Sequence, residues 1–233
     1  MRNSALVLLT LNEIEGLEAL WSRLPIAEFA EVFAVDGGST DGTLAFFAAR
    51  GIPVVTQPIR GRGVAFRVAA EASAAERLVF FSPDGNEDPA DIVRLDDLLI
   101  GGADLAIARR FGPGAVNEED GEVLRLRARV NDTLSRIANG LFGSGGPRVH
   151  DTINGFRALR RKALLELATT VKRFPIEYQI TIRALQRGWT IAEVPTKEGA
   201  RIGGERKAAS WPVGMDHLKV LATELANARL LAR

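Results

Sequence analysis

The alternation of short apolar runs with amphipathic segments constrains this chain more than any other feature. Residues 5–11 form a continuous apolar run suited to a central strand, and residues 13–24 carry Ile14, Leu17, Leu20, Trp21 and Leu24 at helical spacing. The pattern repeats: strands over 31–35, 53–56, 78–81 and 103–108, helices over 43–50, 63–75 and 89–100. Such alternation predicts an α/β fold, a mostly parallel sheet with helices on both faces joined by right-handed crossovers. At 233 residues and 46% hydrophobic, the chain can bury the core of one α/β domain, with or without a small appendage.

The second half is organised differently. Residues 112–122 are Gly-rich and acidic and read as a loop, followed by a helical stretch to about Phe142 that the Gly-rich 143–147 segment breaks. A turn at 150–155, helices at 161–168 and 176–187, a strand at 190–195 and a polar loop at 197–207 follow. A last helix over 213–231 has Leu218, Leu221, Leu225 and Ala228 as its apolar stripe. Such a stripe packs on the parent domain or on a second subunit as a homodimer, with a membrane surface as the alternative.

Thirty basic residues against twenty-nine acidic ones give a formal charge of +1, so no whole-chain field recruits nucleic acid. The absence of cysteine rules out disulfides, a thiolate nucleophile and zinc–thiolate sites, and two histidines exclude a His-rich metal site. The apolar run at 4–11 is too short to span a bilayer and is not preceded by a charged signal region. A soluble, cytoplasmic protein is expected.

Chemistry gathers where strands end. Residues 77–81 read as a buried parallel strand, and Asp88-Pro89 as a helix cap followed by a first-turn proline. The turn between them holds Asp84 and Asn86 at the carboxyl end of a strand, where open α/β sheets place ligands. A carboxylate and an amide oxygen suit a hard divalent cation that keeps waters and shares ligand phosphates. As structure alone, the segment is a solvated acidic turn with a good cap. Asp36-Gly37-Gly38-Ser39-Thr40-Asp41-Gly42-Thr43 offers an acid for a base or sugar, or simply a turn and cap. Gly61-Arg62-Gly63, opening a helix, offers backbone N–H groups and a guanidinium to a diphosphate. The first strand leads to Thr10-Leu11-Asn12-Glu13, which is neither a Gly-x-Gly-x-x-Gly fingerprint nor a Walker loop.

These motifs, together with Asp151-Thr152-Ile153-Asn154-Gly155-Phe156-Arg157 and Arg201-Ile202-Gly203-Gly204-Glu205-Arg206-Lys207, occur in an order that resembles the family 2 glycosyltransferases of GT-A fold. The branch they are most similar to is that of the dolichol-phosphate mannose synthases and related polyprenyl-phosphate glycosyltransferases. The resemblance implies a catalytic domain over 1–207, with a nucleotide-binding half to about 110, an acceptor-side half over 111–207 and a C-terminal helix over 208–233. It implies that Glu13 and Asp36 hold the nucleoside of a nucleotide-sugar, with Leu9 and Leu11 beside the base. Arg62, Arg201 and Lys207 fall to the diphosphate, and Arg110 and Arg127 to an acceptor phosphate. The family's Asp-x-Asp metal motif stands here as Ser82-Pro83-Asp84, which leaves Asp84 and Asn86 to hold Mg2+ or Mn2+. Asp151 is the candidate base should the acceptor be an alcohol, and Glu177 a candidate to orient sugar hydroxyls or to cap a helix. The implied reaction is inverting transfer to a polyprenyl phosphate, with membrane contact at the protein's surface. The alternatives are a soluble transferase acting on a small molecule or cell-wall precursor, a nucleotide-binding protein that has lost catalysis, and, more distantly, a nucleotidylyltransferase.

Overall fold

The computed structural model describes residues 1–117, 126–143, 145–202 and 210–231, without the side chains of 126–127, 210–213 and 229–231. The strands are β1 (Arg2–Thr10), β2 (Phe29–Asp36), β3 (Val54–Thr56), β4 (Arg77–Phe81), β5 (Leu105–Arg109), β6 (Arg157–Arg160) and β7 (Ile191–Pro195). The helices are α1 (Ile14–Leu20), α2 (Thr43–Ala48), α3 (Arg62–Ala72), α4 (Ala90–Ile100), α5 (Leu126–Phe142), α6 (Arg161–Glu166), α7 (Ile176–Gln186) and α8 (Ser210–Leu231).

These strands form one sheet in the order β3-β2-β1-β4-β6-β5-β7. β1 lies between β2 and β4, parallel to both, and its side chains alternate between two cores. Ala5, Val7 and Leu9 enter a cluster with Phe66, Phe80, Ile107 and Tyr178, while Leu6 and Leu8 enter another with Leu17, Phe47, Phe81 and Ile92. Burial on both faces is why the 5–11 run is apolar without a break over residues 5–9.

One strand departs from the parallel expectation. β6, four residues long and flanked by arginines, is antiparallel to both β4 and β5. Because Phe80 pairs with Arg157, the segment entering β6 lies at the carboxyl end of β4. The reversal therefore delivers Asp151–Phe156 to the edge where β4 ends and Ser82 follows. The two expected halves share this one sheet, since β6 and β7 join the strands of the first half.

The register of α8 also differs from the expected stripe. Leu221, Leu225 and Ala228 pack on the core, but Leu218 is 48% exposed and the buried face is completed by His217, Val220 and Glu224. Glu224 accepts hydrogen bonds from Arg183 Nη2 at 2.8 Å and Gln179 Nε2 at 2.7 Å, which ties α8 to α7. Counting apolar residues alone therefore found Leu221, Leu225 and Ala228 but took in the exposed Leu218 and missed the buried His217 and Glu224. Replacing Glu224 with Ala leaves a largely buried guanidinium without its carboxylate, and denaturant unfolding should show a loss of about 3 kcal/mol.

Candidate active site

The turn after β4 is built from its own hydrogen bonds. Ser82 N donates to Glu87 Oε2 at 2.6 Å, Asn86 N to Asp84 Oδ1 at 3.1 Å, and Ala90 N to Asp88 Oδ1 at 3.2 Å, so Asp88 caps α4 as its position suggests. The segment 199–202 lies on this turn: Ile202 N donates to Asp84 O at 2.8 Å, Gly199 N to Asn86 O at 3.0 Å and Asn86 Nδ2 to Gly199 O at 2.8 Å. Gly85, at φ +95°, is needed twice over. Its backbone is left-handed, and a Cβ there would come within 2.8 Å of Ile202 and the Ala200 carbonyl. Docking brings Arg201 Nη1 to 3.1 Å from Asp84 Oδ2, and Nη2 to 3.9 Å from Glu13 Oε1. Arg201 Nε is buried without a hydrogen-bond acceptor among the described residues.

The Gly61-Arg62-Gly63 segment uses both of its glycine amides within the protein. Gly63 N and Val64 N both donate to the Lys172 carbonyl, and Gly61 N to Gln57 Oε1. A Cβ on Gly61 or Gly63 would collide with the carbonyls of Lys172 and Val171, so these glycines admit a neighbouring loop. The expected backbone cradle is thus a capped helix start. Arg62 turns inward, where Nε donates to Glu177 Oε1 and Nη1 to Ser82 Oγ at 3.3 Å. Glu177, together with Glu87 and Asp84, holds the Arg62 guanidinium above its ordinary pKa despite burial.

On the other side, Asp151 is fully buried and engaged with Arg110. Its Oδ2 accepts from Arg110 N at 3.0 Å and Nε at 2.8 Å, and its Oδ1 from Nη2 at 3.1 Å. Arg110 Nη1 also lies 3.6 Å from Glu198 Oε1. Asp151 is therefore an anchor for Arg110, and the side chain is not placed as a general base. Glu193 supports the turn from below, accepting from His150 N and Asp151 N at 3.0 Å. Arg157, with no exposed surface, donates to the Asn154 and Glu177 carbonyls and to Thr181 Oγ1; burial lowers its pKa to about 10, which leaves it charged near neutrality.

The nucleoside-side candidates separate. Asp36 is buried and saturated by its own turn: Oδ2 accepts from Gly38 N at 2.7 Å and Ser39 N at 2.8 Å, Oδ1 from Thr10 Oγ1 and Ser39 Oγ. Asp41 caps α2 through Thr43 N and receives Ile14 N, so the octet also locks the first two turns together. Leu9 packs into the core, whereas Leu11 stands at the rim beside Gly37 and Gln57. Glu13 is buried and faces Arg201. Arg127 lies in α5 with its side chain outside the described residues, and Lys207 lies outside them altogether.

Ion pairs and charge–charge interactions join Glu13, Asp84, Glu87, Asp151, Glu177 and Glu198 to Arg62, Arg110, Arg157 and Arg201. Among the described residues six acidic side chains meet four guanidiniums in this network, and with Glu87 largely protonated near neutrality the formal excess is one negative charge. Among the described residues no group of three or more His, Cys, Asp or Glu side chains is arranged to hold a metal. One carboxylate, an amide, the local negative excess and the orphaned Arg201 N–H nevertheless fit a divalent cation that shares its coordination with an anionic ligand and water. Glu87, Glu193 and Glu198 were not singled out from the sequence. Glu87 lay in the turn already marked, whereas Glu198 reaches Arg110 only because residues 116 and 197 form a bridge.

Comparison with known proteins fits this arrangement. A family model described as glycosyl transferase family 2 matches residues 6–168. The dolichyl-phosphate hexose transferase of Haloferax volcanii is 32% identical over 198 residues, covering 84% of this chain and 82% of its own. Glycosyltransferase AglJ of the same organism is 32% identical over 192 residues, covering 80% of this chain, which spans 60% of that relative. Glucosyl-3-phosphoglycerate synthase from Mycobacterium tuberculosis, solved with Mn2+, UDP and glucosyl-3-phosphoglycerate, superposes with a TM-score of 0.70 at 25% identity over 97% of this chain and 79% of that one.

Burial, reinforced by the nearby Asp84 carboxylate, pushes Glu87 from its ordinary 4.5 up to about 8, against the pull of Arg62 and Arg110. With the folded-state value raised, the unfolded chain loses this proton first, so the group destabilises the ligand-free fold progressively from about pH 4.5 to 8. Glu87→Gln removes that loss. Thermal unfolding of the variant relative to wild type should improve from pH 5 to pH 8; a constant difference would refute the assignment.

Proposed function

Because the chain belongs to glycosyl transferase family 2, we propose that it moves a sugar from a nucleoside diphosphate-sugar to a polyprenyl phosphate, with inversion at the anomeric carbon. The engagement of Asp151 carries this reading. An alcohol acceptor needs a carboxylate free to take its proton, and Asp151 spends both oxygens on Arg110. A phosphate oxygen is already ionised near neutrality and needs no such base. The likeness to a dolichyl-phosphate hexose transferase along most of both chains points the same way.

In this reading Asp84 and Asn86 hold Mg2+ or Mn2+, which supplies Lewis-acid neutralisation of the departing diphosphate. Glu13, Asp36 and Leu11 shape the nucleoside end, Asp36 by fixing the turn that carries Gly37. Leu9 supports that end from the core. Arg201 and Lys207 face the diphosphate, and Arg62 contributes its charge from beneath Ser82. Arg110, held rigid by Asp151, meets the acceptor phosphate where its longer contact to Glu198 can be exchanged, with Arg127 as a second contact. The protein then works in the cytoplasm against the inner face of the membrane. Among the described residues no helix is long and apolar enough to cross one.

The likeness to glucosyl-3-phosphoglycerate synthase favours a second reading, a small phosphorylated acceptor. Both readings are tested by offering a panel of nucleotide-sugars with a short polyprenyl phosphate or with 3-phosphoglycerate and following product. Transfer to the polyprenyl phosphate is expected; transfer to phosphoglycerate alone would replace the first reading by the second. Asp84→Asn should lower turnover by roughly 10²–10³-fold in a protein that still unfolds in one cooperative transition. Full activity in that variant would remove Asp84 from the site.

A further inference from the structure

The contact between Arg201 and Asp84 is more informative than an ordinary ion pair. Asp84 is the carboxylate expected to grip the cation, yet both its oxygens have protein partners: Oδ1 takes the Asn86 N–H and Oδ2 the Arg201 guanidinium. Arg201 is held there by its backbone neighbours, through the hydrogen bonds of Ile202 and Gly199 to the turn and the close approach that Gly85 permits. Its Nη2 faces Glu13, while its Nε is buried with no acceptor among the described residues. A guanidinium that neutralises the carboxylate but keeps one donor unsatisfied is suited to two successive partners.

We propose that Arg201 holds the divalent cation's place on Asp84 and yields it only when the ion arrives with a diphosphate, to which the guanidinium then transfers. The inference rests on the glycosyl-transfer reading of the site and adds the order of events. A bare divalent ion must displace a unit positive charge from Asp84 and then lie beside it, which opposes binding. An ion carried by a diphosphate brings negative charge for Arg201 to pair with and an oxygen acceptor for the orphaned Nε–H. Arg201 is thus a competitor of the bare ion and a ligand of the ion–diphosphate complex.

The test titrates Mn2+ into the protein, reading free ion by electron paramagnetic resonance, alone and with UDP or GDP. Wild type should bind Mn2+ weakly alone and more tightly with nucleotide. Arg201→Ala should bind Mn2+ alone about tenfold more tightly than wild type, a shift of about 1.4 kcal/mol, and lose most of the tightening by nucleotide. Arg201→Gln, which keeps the shape without the charge, gives the same result if the alanine variant folds poorly. Arg201→Lys should stay near wild type. The gain must vanish when Asp84→Asn is added, and Arg23→Ala, which removes an exposed charge paired with Asp88 on the same turn, should produce none. Unchanged or weaker Mn2+ binding in Arg201→Ala, while wild type binds Mn2+ with nucleotide, overturns the exchange and leaves the enzymatic reading standing. No Mn2+ binding by any form, with or without nucleotide, overturns both.

Discussion

Charges taken out of water at the carboxyl edge of the sheet have to be answered there, and Arg157 sets the terms. It is fully buried, and its hydrogen bonds go to carbonyls and a hydroxyl, with Glu177 and Asp151 acting on it only through space. Breaking such an arrangement costs several kcal/mol because a buried charge left unanswered cannot recover its hydration. The carbonyls that satisfy it belong to the turn before β6 and to the first turn of α7, so one side chain fixes both. Glu177, held in place this way, is then free to pair with Arg62, and Arg62 reaches Ser82 at the end of β4. The site is a chain of charges in which each member is placed by the one behind it.

Much of the fold was legible because local patterns and the final structure agree. The apolar run of β1, strand β4 and the cap at Asp88 follow from periodicity and turn chemistry alone. β6 was not legible, since Arg157–Arg160 carries too few apolar residues to register as a strand and owes its place to the two neighbours that pair with it. The site was half legible for a related reason. Motifs marked where the candidate residues lie along the chain, and β6 and the 196–202 segment bring several of them together. What sequence could not show is how many of their polar atoms the protein itself uses. Asp36 spends its carboxylate on its own turn, Gly61 and Gly63 admit a loop, and Asp151 serves Arg110. In each case atoms that the functional reading calls on are engaged within the protein itself.

The serine at 82 follows from the same accounting. Glu87 reaches back across the turn to the Ser82 N–H, and Arg62 donates to the Ser82 hydroxyl, so the position is already flanked by one carboxylate and one guanidinium. A second carboxylate there would stand against Glu87, whose ionisation burial and Asp84 already resist, and would compete with Glu177 for Arg62. The hydroxyl accepts from Arg62 without adding charge. Glu87, which holds its proton to about pH 8, fills this edge without adding a full negative charge near neutrality.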